Sequence, residues 1–142
     1  MTDFRRIYLD TNIFIAMFEG DGLIVEQLAE VLVRAQKIEE PRLVTSELTL
    51  AELLVMPIAI SDTSLTLLYE QNIAASTWLD LCTVNRSVLR RAAVLRSGHK
   101  GVKLPDAIHV ATAIERNCSH LLTADLGIVG PFAVRNPAAG DA

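Results

Sequence analysis

Residues 6–18, Arg6-Ile7-Tyr8-Leu9-Asp10-Thr11-Asn12-Ile13-Phe14-Ile15-Ala16-Met17-Phe18, decide the fold. Arg6 to Leu9 is a short β-rich run. Asp10, Thr11 and Asn12 are residue types that cap helices, and the apolar stretch Ile13 to Phe18 follows at once. The simplest parse is strand, turn, helix, with an aspartate where the strand ends. Gly20-Asp21-Gly22 then breaks the chain, and Ile24, Leu28, Val31, Leu32 and Ala35 recur at helical spacing with Glu26, Glu30, Arg34 and Lys37 mostly on the other side. Pro41 ends that amphipathic helix. Leu43-Val44-Thr45 reads as a second strand, and Ser46 caps a helix over 47–56 that Pro57 stops.

The alternation continues. Ser61-Asp62-Thr63-Ser64 is a cap cluster before a helix of about a dozen residues. Leu79 to Val84 is a mostly apolar strand, and a helix follows from Arg86 to Ser97. Gly98-His99-Lys100-Gly101 is a loop, and Pro105 suits the first position of a helix that runs to Arg116. His120-Leu121-Leu122-Thr123 is a strand, with Phe132-Ala133-Val134 as the last element. Short apolar strands alternating with helices imply a mainly parallel sheet with helices on both faces. In such folds chemistry belongs at the carboxyl ends of the strands.

Composition bounds the rest. The chain has 142 residues, 51% hydrophobic and 21% charged, in the range of one compact domain. We expect residues 1–135 to form it and the small, polar residues 136–142 to fray as a tail. Mean hydropathy is high at +0.34, yet no apolar stretch reaches the roughly 20 residues of a membrane span. No secretory signal is legible either, because Asp10, Thr11 and Asn12 interrupt the first apolar run. A cytoplasmic location is the expectation. Cys82 and Cys118 are too few for a disulfide framework and lack metal-ligand spacing, so both are read as buried free thiols. A net charge of −4 argues against a wholly basic nucleic-acid surface. The charge is segregated, however: Arg86, Arg90, Arg91, Arg96, Lys100 and Lys103 put +6 on one acid-free stretch and leave −10 elsewhere.

Four carboxylates fall on the carboxyl edge of this sheet. Asp10 and Asp125 each follow a strand, and Asp106 opens a helix that starts at the same edge. Glu52 lies about 9 Å down its helix, but helical side chains lean back toward the N-terminus. It is also chemically out of place among Leu48, Val55 and Met56, on a segment that reads as mostly buried. Glu47 and Glu52 lie roughly 140° apart around the helix, so only one faces the site. Gathered carboxylates repel unless a cation neutralises them, and an oxygen-only set favours Mg²⁺ or Mn²⁺. Metal-assisted phosphodiester hydrolysis is the natural chemistry. Taken singly, Asp10 also reads as a helix cap, Asp106 as a partner of the helix dipole and Asp125 as a turn residue, while His109, one turn after Asp106, reads as a packed, hydrogen-bonded histidine rather than one that reaches a metal or phosphate.

Ile7 to Asn12, Ser46-Glu47-Leu48 through Ala51-Glu52-Leu53, Leu104 to Ala113 and Leu121-Leu122-Thr123-Ala124-Asp125 together resemble the PIN domain, in the order and spacing of its VapC toxin branch. The likeness covers about Ile7 to Ile128. It implies a three-layer α/β/α sandwich and a Mg²⁺- or Mn²⁺-dependent ribonuclease, usually a homodimer, restrained by a VapB-type antitoxin. The acidic quartet of that family maps onto Asp10, Glu52, Asp106 and Asp125, and Asn12 and Thr123 would orient ligands or water. Where many members carry Asn before the last acid and a basic residue after it, this chain has Ala124 and Leu126. Arg91, Arg96, Lys100 and Lys103 would hold the RNA backbone. Two other functions compete: a phospho-receiver module, disfavoured because Val84-Asn85-Arg86 stands where a phosphoacceptor aspartate belongs, and a PIN-like domain that binds RNA or protein without catalysis. Apolar helix surface at 24–35 and 65–73 suits either a dimer or antitoxin contact or simply core.

Overall fold

The strand β1 (Ile7–Leu9) lies at the centre of the sheet, and its three residues are fully buried. It pairs in parallel with β2 (Leu43–Ser46) on one side and β4 (His120–Thr123) on the other. Beyond β2 lies β3 (Leu79–Cys82), also parallel. Beyond β4 lies β5 (Gly127–Val129), antiparallel, giving the order β3-β2-β1-β4-β5. The structure, a computed structural model, describes residues 6–20, 22–23, 26, 30, 43–75, 78–123 and 127–129.

Side chains alternate across a strand, and β1 uses both faces. Ile7 and Leu9 join Leu43, Leu79 and Leu122 in a cluster with Ile13 and Phe14 of α1 (Thr11–Glu19), Leu53 of α2 (Glu47–Ala59) and Tyr69 of α3 (Thr63–Tyr69). Ile73, on a π-helical turn (Glu70–Ala74) that continues α3, completes it. Tyr8 and Val44 point the other way, toward Cys82, Ala113 and Cys118. That face is covered by α4 (Arg86–Gly98) and α5 (Leu104–Glu115), which meet through Val88, Ala92, Leu95, Ala107 and Ala111. The result is the expected α/β/α sandwich with a mainly parallel sheet.

Cap residues fix where the helices start. The side chains of Asp10, Ser46, Asp62 and Asn85 accept hydrogen bonds from the first turns of α1, α2, α3 and α4. At the end of α1, Gly20 has φ 82° and donates its N–H to Ala16 O, a left-handed cap that glycine adopts without steric cost.

Several boundaries differ from the sequence expectation. Pro57 does not stop α2, which continues to Ala59. The proline lies in the last turn, where its missing N–H forfeits a single intrahelical bond, and its ring is buried. Val55 and Met56, expected in the core, are 67% and 65% exposed. The strand β3 stops at Cys82 rather than Val84, because Asn85 turns out to cap α4. The short antiparallel β5 was not foreseen. The strand expected at 132–134, nearly all of the helix expected over 24–35, and the tail 136–142 lie outside the described residues.

Cys82 and Cys118 are buried and free, as expected. Burial pushes their thiols up to about 11 and about 12, so both stay protonated at neutral pH. No described helix is long and apolar enough to cross a membrane.

Candidate active site

The direction of α5 sets the geometry of the site. Its last residues lie at the amino end of the sheet, where Arg6 Nε donates to Arg116 O at 2.9 Å and Ser119 N donates to Arg6 O at 2.8 Å. The helix therefore runs antiparallel to the strands and begins at their carboxyl ends. Leu104, Pro105 and Asp106 form its first turn, and His109 follows one turn after Asp106 on the same side.

At that edge β1 delivers Asp10. Its backbone N–H donates to Leu122 O at 3.0 Å, which locks the end of β1 to β4. One carboxylate oxygen, Oδ1, accepts the N–H of Thr11 at 2.8 Å. From α2, Glu52 reaches back as helical side chains do. Its Oε1 accepts from Thr11 Oγ1 at 2.7 Å and from His109 Nε2 at 2.6 Å. His109 Nε2 also lies 3.9 Å from Asp10 Oδ1 and 3.2 Å from Thr11 Oγ1. Three elements far apart in sequence thus bring Asp10 and Glu52 to one imidazole.

Glu47, the alternative acid on α2, is exposed. Asn12 and Thr123 meet across the β1 and β4 ends, with Asn12 Nδ2 donating to Thr123 Oγ1 at 3.3 Å. Asp106 is exposed, and its carboxylate has no hydrogen-bond or ion-pair partner among the described residues. Asp125 lies outside them.

The electrostatics of the pair are unbalanced. Among the described residues, no lysine or arginine forms an ion pair with Asp10, Glu52 or Asp106. Asp10 Oδ2 and Glu52 Oε2 have no hydrogen-bond partner among them either. Two hard, anionic oxygen donors at one edge suit a divalent cation. Among the described residues no three acidic, histidine or cysteine side chains stand together as a complete ligand set.

The basic stretch divides into two parts. Ser87 Oγ donates to Glu115 Oε1, and Arg91 Nε donates to Glu115 Oε2 at 2.8 Å. The start of α4 therefore lies beside the end of α5, and the two helices are antiparallel. Arg91, expected among the RNA-holding cations, bridges α4 to α5 at the end remote from the acids. Arg96, Lys100 and Lys103 are exposed at the other end, where α4 turns into the start of α5.

Sequence reasoning set a reach to metal or phosphate against a packed, hydrogen-bonded reading for His109 and favoured the packed one. That is correct, since it is 3% exposed, but its partners belong to the site. Thr11 was read only as a capping type, and the hydroxyl of Tyr8 went unremarked. The one available signal was the spacing of His109 from Asp106.

A mainly parallel sheet with two acids gathered at the carboxyl ends of its strands is a ligand-binding arrangement of open α/β folds. The PIN domain family model matches residues 7–129. The chain belongs to the PIN domain family. No curated protein sequence matches it. Among solved structures it is similar to a toxin–antitoxin complex from Klebsiella pneumoniae, at 26% identity, with 82% of this chain and 84% of that one covered and a TM-score of 0.61. VapC20 of Mycobacterium tuberculosis, a toxin that cleaves the sarcin-ricin loop, shares the fold at a TM-score of 0.65 and 16% identity over 91% and 94% of the two chains. VapBC2 from Rickettsia felis, solved bound to a promoter DNA fragment, does so at 0.60 and 20% identity over 82% and 86%.

Proposed function

We propose that this PIN domain is a divalent-metal-dependent endoribonuclease acting as the toxin of a toxin–antitoxin pair. The observation that carries the reading is the meeting of Asp10 and Glu52 at one edge, where among the described residues an oxygen of each is left unpartnered and no lysine or arginine pairs with either. The toxins among similar solved structures support it.

Asp10, Glu52, Asp106 and Asp125 would hold Mg²⁺ or Mn²⁺. Such an ion, when bound, neutralises phosphate charge and makes water a stronger nucleophile at neutral pH. The chain's own residues supply positioning. Thr11 steadies both Asp10 and Glu52. Asn12 and Thr123 offer an amide and a hydroxyl to orient a phosphate oxygen or water, and Arg96, Lys100 and Lys103 attract the RNA backbone. A homodimer and a VapB-type antitoxin are the protein partners of this reading, and a cytoplasmic location goes with them. Exposed Val55, Met56, Ile58 and Leu67 on α2 and α3 offer apolar surface for such contacts.

Incubating the purified chain with single-stranded and hairpin RNA tests the activity. Cleavage is expected with Mn²⁺ or Mg²⁺, leaving 5'-phosphate and 3'-hydroxyl ends, and is expected to stop with EDTA and resume when Mn²⁺ is restored. Cleavage indifferent to chelation, or intact RNA under every condition, would contradict the reading.

The division of the basic stretch gives a second test. Replacing Arg96, Lys100 and Lys103 together by Ala should reduce the slope of log affinity for RNA against log salt, measured in EDTA, by roughly 2, at about 0.7 per phosphate contact on a single strand. Arg91→Ala should leave that slope unchanged and lower thermal stability instead. A shallower slope in Arg91→Ala would reassign that residue to the RNA.

A further inference from the structure

The contact of His109 with Glu52 continues into the core. Tyr8, fully buried on β1, places its hydroxyl 2.6 Å from His109 Nδ1, and the two rings meet edge to face with centroids 5.7 Å apart. A carboxylate oxygen can only accept, so at 2.6 Å from Glu52 Oε1 the hydrogen must sit on His109 Nε2. In the neutral ring Nδ1 is then an acceptor, and the Tyr8 hydroxyl donates to it. Burial raises the phenol well above its usual range, which keeps that donor in place. A series of directed hydrogen bonds therefore runs from the central strand through α5 to the carboxylate on α2.

The arrangement engages only one oxygen of Glu52. Both Thr11 Oγ1 and His109 Nε2 meet Oε1, which leaves Oε2 available. With its Nε2–H directed at Glu52 and its Nδ1 held by Tyr8, buried His109 has both ring nitrogens engaged within the protein.

We propose that His109 is a positioning residue, which with Tyr8 behind it holds Glu52 by Oε1 and reserves Oε2 for the divalent cation. This rests on the metal-dependent reading above and adds the device that orients one of its ligands. Outer partners of this kind commonly change metal affinity by roughly 10–100-fold when removed.

Mn²⁺ titration followed by electron paramagnetic resonance, together with ¹⁵N NMR of the His109 ring in the metal-free protein, tests it without measuring activity. Wild-type protein should show the Nε2–H tautomer. Tyr8→Phe, which removes one oxygen and keeps the ring, should shift the tautomer populations and weaken Mn²⁺ binding by roughly 3–10-fold. His109→Leu should weaken it by roughly 10–100-fold. His109→Gln, whose amide N–H can still reach Glu52, should recover most of that loss. Should His109→Leu fail to fold, Tyr8→Phe and His109→Gln still decide the matter. Mn²⁺ affinity within twofold of wild type in folded Tyr8→Phe and His109→Leu, or an Nδ1–H tautomer, would overturn this proposal alone. Absence of Mn²⁺ binding by the wild-type chain would overturn the metal-dependent reading as well.

Discussion

Glu52→Gln is expected to lower metal-dependent RNA cleavage by on the order of 10³, the scale lost when one oriented group stabilising a transition state is removed. The substitution is nearly isosteric. The amide oxygen can still accept from Thr11 Oγ1 and His109 Nε2 as Oε1 does now, so the local structure is retained. What changes is the second position, where an N–H₂ donor replaces the unpartnered oxygen and presents positive charge density to a cation. Asp10→Asn acts in the same way, since its carbonyl can keep the Thr11 N–H while its amide displaces the other oxygen. Removing one of two neighbouring negative charges relieves repulsion in the metal-free protein, so neither variant should be less stable to heat than wild type. Glu47→Gln is the control: Glu47 is exposed at the start of the same helix and should cleave at the wild-type rate. Unchanged cleavage in Glu52→Gln would remove Glu52 from the mechanism.

Phe14→Ala should cost about 3–5 kcal/mol of folding stability, the range for deleting a buried aromatic side chain. Phe14 is fully buried in the cluster between the sheet and α1 to α3, with Ile7, Leu9, Ile13 and Leu122. Its loss leaves a cavity beneath the helix that begins with Thr11 and Asn12. Against a typical total of about 5–15 kcal/mol, this is a large fraction of stability, and urea denaturation at equilibrium measures it. A loss below about 1 kcal/mol would mean that the packing around α1 relaxes freely and that α1 is not held rigidly against the sheet.

The parts of this fold legible in the sequence are those encoded locally. A strand ending in Asp10, a capping cluster and an apolar helix are neighbours in the chain, and period alone separates them. The opposition of Glu47 and Glu52 follows from helical geometry, and the structure bears it out. Reading Val55 and Met56 as buried failed because apolar residues on a helix report no particular neighbour. Pro57 misled because a proline with a buried ring can stay in the last turn of a helix at the cost of one intrahelical bond. His109 illustrates the deeper limit. Its partners lie 101 and 57 positions away, at Tyr8 and Glu52, and no local pattern encodes those meetings. The ion pair of Arg91 was illegible for the same reason, because its partner Glu115 lies on the next helix.

The central claim is that carboxylates remote in sequence converge to hold one divalent ion. Crystals grown with Mn²⁺ and measured at its absorption edge test it most directly. The expected result is an anomalous peak coordinated by Asp10 Oδ2 and Glu52 Oε2, with Asp106 or Asp125 completing the shell. A well-occupied Mn²⁺ ion bound elsewhere, with both of these oxygens left to solvent, would contradict the account.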